Sequence, residues 1–188
     1  MKNILDINSR EEFRKWLQKN IVSESECWIN LKRGKPDNKN IFYYLDAVEE
    51  ALCFGWIDSI YKLINGKHMQ RFSPRTKNSS WTELNKERAR RLEKLGLMTD
   101  AGRAVLPSLE ISNFKIDSEI KIAMQHAHIY SKFKSFPPLY QRIRISNILS
   151  YKKYDMLKYK KALIYLIKKT KQGIMFGQWN DYGRLLNY

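Results

Sequence analysis

Apolar residues along the chain change their spacing several times, and each change marks an element. Ser9 is followed three positions later by Glu12, the pattern of a capping box, and Phe13, Trp16 and Leu17 then recur at helical spacing. A helix over about 9–19 is expected. Cys27 to Lys32 alternates in part and is closed by Gly34 and Pro36, so it reads as a short strand. From Tyr43 to Cys53, Leu45, Val48, Ala51 and Leu52 fall on one helical face with Asp46, Glu49 and Glu50 largely opposite, and Gly55 follows as a left-handed cap.

Two strand-like runs, Trp56–Ile64 and Lys67–Phe72, flank Asn65 and Gly66, the pair that best tolerates the positive φ angles of a two-residue turn. Ser80 and Glu83 read as a second capping box, before a helix carrying Leu84, Ala89, Leu92 and Leu95 and ending at Gly96. A short helix is expected from Thr99 toward Leu109, followed by helices over about 117–133, 138–151 and, after Asp155 as cap, 156–171. The segment from Gly173 to Tyr188 has no clear period. The fold class expected is α+β: an N-terminal mixed part with a β-hairpin at about 56–73 packed by helices, then a mostly helical part. A single domain over 1–188 accommodates this, with a subdomain boundary near 111–116.

Composition agrees with a folded globule, with 43% hydrophobic and 29% charged residues among 188. No segment approaches the roughly 20 consecutive apolar residues of a membrane span, and MKNILDINSREEF lacks the apolar core of a signal peptide. A cytoplasmic protein is therefore expected, with Cys27 and Cys53 as free thiols. Charge changes the picture more. Residues 1–110 hold 20 Lys+Arg against 15 Asp+Glu, whereas residues 111–188 hold 15 against 4. Most of the formal net charge of +16 thus sits in the helical half. Such a surface favours anionic partners, an acidic protein or nonspecific nucleic acid among them, and is also what a Lys-rich composition leaves on solvated helices.

The run ALCFGWIDS at 51–59, followed by RFSPR at 71–75, SSW at 79–81 and Asn85, resembles the signature of the bacteriocin-protection, YdeI/OmpD-associated family. The likeness extends upstream to Trp16 and Trp28, and downstream through LGLMTDAG at 95–102 and FPPLYQRI at 136–143. What it implies is a link to bacteriocin or antimicrobial-peptide protection, a stress or resistance role. It supplies no catalytic residue.

A turn at Asn65–Gly66 sets Ile64 opposite Lys67, and an unbroken ladder would then set Ile60 opposite Arg71 and Trp56 opposite Arg75, with Asp58 diagonal to both arginines. Trp56, Asp58, Arg71, Ser73 and Arg75 would share one face, with Trp81 and Asn85 of the signature as further ligand candidates. Guanidinium groups there could fork onto an anion while an indole stacks on an organic group. An ordinary Asp–Arg pair over a tryptophan core explains the same residues, and both readings stay open. Cys53, at a helix C-terminus, is poorly placed to be a thiolate and reads as packing. His126 and His128 diverge on a helix, no metal or cofactor motif is present, and no phosphate loop or nucleophile elbow occurs. Lys158, Lys160, Lys161, Lys168 and Lys169 are the candidates for contact with an anionic partner; they suit phosphate contact rather than base readout. The functional expectation is a noncatalytic protein binding an anionic ligand or partner. The alternatives are a small enzyme using an Asp58, Arg71 and Arg75 pocket, and a nonspecific nucleic-acid-binding protein.

Overall fold

A computed structural model describes residues 3–76 and 79–188 and has an α+β fold: a four-stranded mixed sheet with eight helices. The strands are β1 (Ile4–Leu5), β2 (Cys27–Asn30), β3 (Trp56–Ile64) and β4 (Lys67–Pro74). The helices are α1 (Arg10–Asn20), α2 (Tyr44–Cys53), α3 (Glu83–Lys94), α4 (Asp100–Arg103), α5 (Ser118–His126), α6 (Tyr130–Lys134), α7 (Pro138–Lys152) and α8 (Met156–Lys171). The chain forms two compact units. One comprises residues 1–80, 88–107 and 188; the other comprises 81–87 and 108–187.

In the first unit the sheet order is β1-β2-β4-β3, with β1 parallel to β2 and the other pairs antiparallel. The partner of β2 that the local sequence hides is β4, which arrives 40 residues later in register Trp28 opposite Arg71. Asn65 (φ 48°) and Gly66 (φ 74°) make the hairpin turn as their chemistry requires. One sheet face carries the aromatic core: Phe13 of α1 packs on Phe72 at 5.4 Å between ring centroids, and Trp16 meets Trp56 edge-on at 5.7 Å. The opposite face holds a smaller buried group of Trp28, Ile64 and Met69, with the Lys62 ammonium 4.8 Å from the Trp28 ring.

The ladder does not run unbroken. Near the turn Tyr61 pairs with Gln70, but a bulge between Asp58 and Tyr61 shifts the register so that Asp58 pairs with Phe72 and Trp56 with Pro74. The expected pairs Ile60–Arg71 and Trp56–Arg75 are therefore replaced. Because side chains alternate at every residue, this one-residue shift exchanges faces. Asp58 and Trp56 lie on the helix-covered face with Phe72, while Arg71 and Ser73 point to the other.

The helix α2 is buried on all sides, its acids included. Gly55 (φ 74°) follows it as the expected left-handed residue. The start of α3 differs from the Ser80–Glu83 capping box: Thr82 is the cap, its hydroxyl accepting from Asn85 N at 3.2 Å. The helix expected from Thr99 toward Leu109 is the single turn α4, ending at Arg103, and Pro107 disfavours helical geometry at Leu106 beyond it.

In the second unit the helix expected over 117–133 is split. His128 takes a left-handed conformation (φ 54°), and Ile129 N reaches back to Met124 O at 2.9 Å, closing α5 before α6 begins. Ile120, Met124, Phe133, Tyr140, Ile143 and Leu166 form the core. Pro138 opens α7, where a missing N–H costs nothing, and Asp155 caps α8 by accepting from Lys158 N at 2.9 Å. Arg142, buried in this unit, bonds Glu87 at 2.8 Å and lies 3.6 Å from Glu83. Among the described residues no helix is long and apolar enough to cross a membrane.

Candidate functional site

Two polar groupings lie within the first unit, and their charge balance separates them. The first surrounds α2. Arg10 reaches Glu49 at 2.9 Å, Glu50 at 2.8 Å and Asp46 at 3.4 Å; Arg14 meets Glu50 at 2.9 Å and Arg91 meets Glu49 at 2.8 Å. Burial works against the Arg10 charge, yet the carboxylates of Glu49 and Glu50 outweigh it and raise its pKa above the ordinary value. Arg14 also donates to Leu97 O at 2.9 Å. Three buried acids answered by three arginines form a satisfied network, and its geometry reads as structural. Sequence periodicity sets these acids largely opposite the apolar face; Arg10 and Arg14, one helical turn apart, are the available hint that they are covered.

The second grouping is built by the bulge. Moving Asp58 to the face that carries Tyr61 brings it to Tyr44 at the start of α2, whose hydroxyl donates to Asp58 Oδ2 at 2.6 Å. Burial, and then the Asp58 charge, push the Tyr44 pKa well above its usual range, so Tyr44 acts as a proton-bearing donor. Arg33, from the loop after β2, lies between two rings, 4.1 Å from the centroids of both Tyr44 and Tyr61. It donates to Gln70 Oε1 at 2.6 Å. The other end of the Gln70 amide donates to Ile60 O and Arg71 O, each at 3.2 Å, and so holds the carbonyl that the bulge removes from the ladder. Arg75, just past the last strand pair, anchors its N–H on Gly55 O at 2.9 Å and its guanidinium on Ser80 O at 3.3 Å. Burial lowers its pKa to about 10, with the Asp58 charge opposing that shift.

The sequence-derived candidates thus divide. Asp58 and Arg75 belong to this grouping. Trp56 belongs to the aromatic core beside it, fully enclosed. Arg71 is on the opposite face, bonded to Glu26 at 2.6 Å and to Ser59 at 3.3 Å. Ser73 shares that opposite face, so neither residue joins Asp58. Trp81 and Asn85 are part of the second unit. Arg33, Tyr44, Tyr61 and Gln70 escaped sequence reasoning. A glutamine two residues before Phe72, on the same face of a strand, is the sequence signal that points to them.

Residues 5–105 match a family described as a domain of unknown function (DUF8412). The chain belongs to that family. The matched DUF8412 segment runs from the end of β1 to just beyond α4 and contains both polar groupings, whereas α5–α8 lie outside it. No curated protein and no solved structure matches the chain.

Cys27 and Cys53 are free and buried. Burial, and secondarily the nearby Glu50 charge, push the Cys53 thiol up to about 12. Among the described residues no group of three or more His, Cys, Asp or Glu side chains is arranged to hold a metal ion. The anionic-partner candidates Lys158, Lys160, Lys161, Lys168 and Lys169 all lie on α8.

Proposed function

We propose that the DUF8412 segment is a noncatalytic binding domain for a small anionic ligand carrying a carboxylate or phosphate group, received by Arg33 beside Tyr44 and Asp58. The observation that carries this reading is the position of Arg33 between Tyr44 and Tyr61. Rings packed against a guanidinium leave its N–H groups for bonding. One goes to Gln70, so the remaining edge offers an oriented fork, the geometry that carboxylates and phosphates accept. Arg75 adds positive potential beside Asp58, whose charge favours its protonated form against burial. The resemblance to the YdeI/OmpD-associated family adds the proposed setting, protection against bacteriocins or antimicrobial peptides.

Titration of the full chain with inorganic phosphate and with benzoate, followed by thermal shift and calorimetry, tests the reading. Binding should be lost in Arg33→Ala and persist in Asp58→Asn, where one opposing negative charge is gone. Equal binding by wild type and Arg33→Ala would refute it.

The short Tyr44–Asp58 bond favours a second reading, a small enzyme with Asp58 as its carboxylate base. Under that reading Asp58→Asn abolishes turnover while ligand still binds, whereas the binding reading gives wild type no turnover to lose. Arg71, on the other face, would take no part in either.

A further inference from the structure

The outward surface of α8 belongs to the second unit and has no part in the Arg33 site. Tyr159, Leu166 and Thr170 face inward. At the helical repeat, Leu157, Lys160, Lys161, Ile164, Lys168 and Lys171 fall together within roughly a third of the helix circumference on the opposite side. Leu157 is 64% exposed and Ile164 66%. The apolar set continues beyond the helix, with Tyr154 at 81% before it and Ile174 and Met175 exposed after it. From Met156 to the C-terminus the sole acid is Asp181, which is buried.

We infer that this face of α8 docks on the surface of an anionic lipid bilayer, lying in the interface plane without crossing it. Aliphatic side chains a helical turn from lysines on either side match that environment. Leu157 and Ile164 can enter the boundary between headgroups and acyl chains while the long lysine stems reach up to lipid phosphates. Tyr154, at the N-terminal end, suits the same layer. The lysines supply the attraction to anionic lipid, and they outnumber Asp155, the exposed acid that caps the N-terminal end of the helix.

The chemistry favours a bilayer over its competitors. A nucleic-acid backbone uses the lysines but gives no apolar partner to Leu157 and Ile164 at the centre of the face. A second copy of the chain in a two-fold contact would set this lysine-rich face against itself, where like charges repel.

The test is co-sedimentation of the full chain with vesicles of phosphatidylcholine alone and of phosphatidylcholine mixed with phosphatidylglycerol, across a salt series. Two variants separate the contributions: Leu157→Ser/Ile164→Ser keeps every charge, and Lys160→Gln/Lys161→Gln/Lys168→Gln keeps every apolar group. All five side chains are exposed, so folding, checked by circular dichroism, should be unchanged. Wild type should bind the mixed vesicles and not the neutral ones, and each variant should bind at least about tenfold more weakly. Undiminished binding by the serine variant would overturn the docking mode and leave charge attraction alone. Failure of wild type to bind the mixed vesicles would overturn it as well, as would duplex DNA competing fully at equal phosphate while the serine variant behaves as wild type.

Discussion

Gln70 bonds Arg33 with one end of its side-chain amide and Ile60 O with the other, tying the β-bulge to the guanidinium that faces the candidate ligand. The bulge sets which residues meet Asp58, so Gln70 acts on both the fold and the site. Gln70→Leu should leave the Ile60 carbonyl without this donor, costing about 1–3 kcal/mol in chemical denaturation. It should also loosen Arg33 between its two rings. Anion affinity should then fall even at temperatures where the variant is fully folded. A variant destabilised as stated but with unchanged phosphate affinity would mean that Gln70 serves the bulge alone.

How much could be read from the sequence follows from how local each feature is. Asn65–Gly66 and the Asp155 cap depend on a few neighbouring residues, and both occur where their chemistry put them. The left-handed turn at His128 was missed because a non-glycine there carries no sequence mark, and one long helix was expected where α5 and α6 form. Thr82 displaced Ser80 as cap because its hydroxyl, two residues further on, accepts from a helix N–H without needing the Glu of a capping box. The site was legible only through Asp58 and Arg75. Extending an ideal ladder past the turn assigned Arg71 and Ser73 to the wrong face, since a bulge of one residue reverses every face beyond it. Arg33 and Tyr44 come from other parts of the chain, and no local pattern joins them to the hairpin.

Glu49 bonds Arg10 and Arg91 from a fully buried position, so its removal leaves two guanidinium groups facing a cavity. Glu49→Ala should destabilise the first unit by about 3–5 kcal/mol, the cost of breaking a buried pair from one side. Glu49→Gln keeps the shape and a hydrogen-bond acceptor and should cost less. Urea denaturation of both variants, monitored by tryptophan fluorescence, checks the order. A smaller loss in the alanine variant than in the glutamine variant would contradict a structural role for the network.

The Cys53 thiol is enclosed at the C-terminal end of α2, its pKa pushed from the ordinary 9.0 up to about 12. Folding therefore favours the protonated thiol. That contribution is complete below pH ~9, where the unfolded chain also holds its proton, and is lost as pH rises through the folded value. Stability should decline between these two pH values, and less steeply in Cys53→Ala than in wild type. Alkylation by iodoacetamide at neutral pH should be slow and limited by opening of the unit. Rapid labelling of folded protein would show a reachable thiolate and would support the enzyme reading.

Gly102 lies where α4 crosses the end of α2, and the contact is between backbones. Thr99 N and Oγ1 both donate to Cys53 O, at 3.0 and 2.6 Å, which pulls the first turn of α4 onto the last carbonyls of α2. A Cβ at Gly102 would sit 2.2 Å from that same Cys53 oxygen. The obstacle is main chain held by two hydrogen bonds, so a rotamer change elsewhere gives no relief, and α4 must move as a body or release Thr99. Gly102→Ala should therefore destabilise by about 1–3 kcal/mol or more, against the usual gain from replacing a helical glycine with alanine. Thr99→Val, which loses the 2.6 Å bond and keeps the shape, should cost less, and the double variant should cost less than the sum because the released turn no longer presses on Cys53. Denaturant midpoints of the three variants measure this. A neutral or stabilising Gly102→Ala would show that α4 can shift freely and that the crossing does not hold the first unit together.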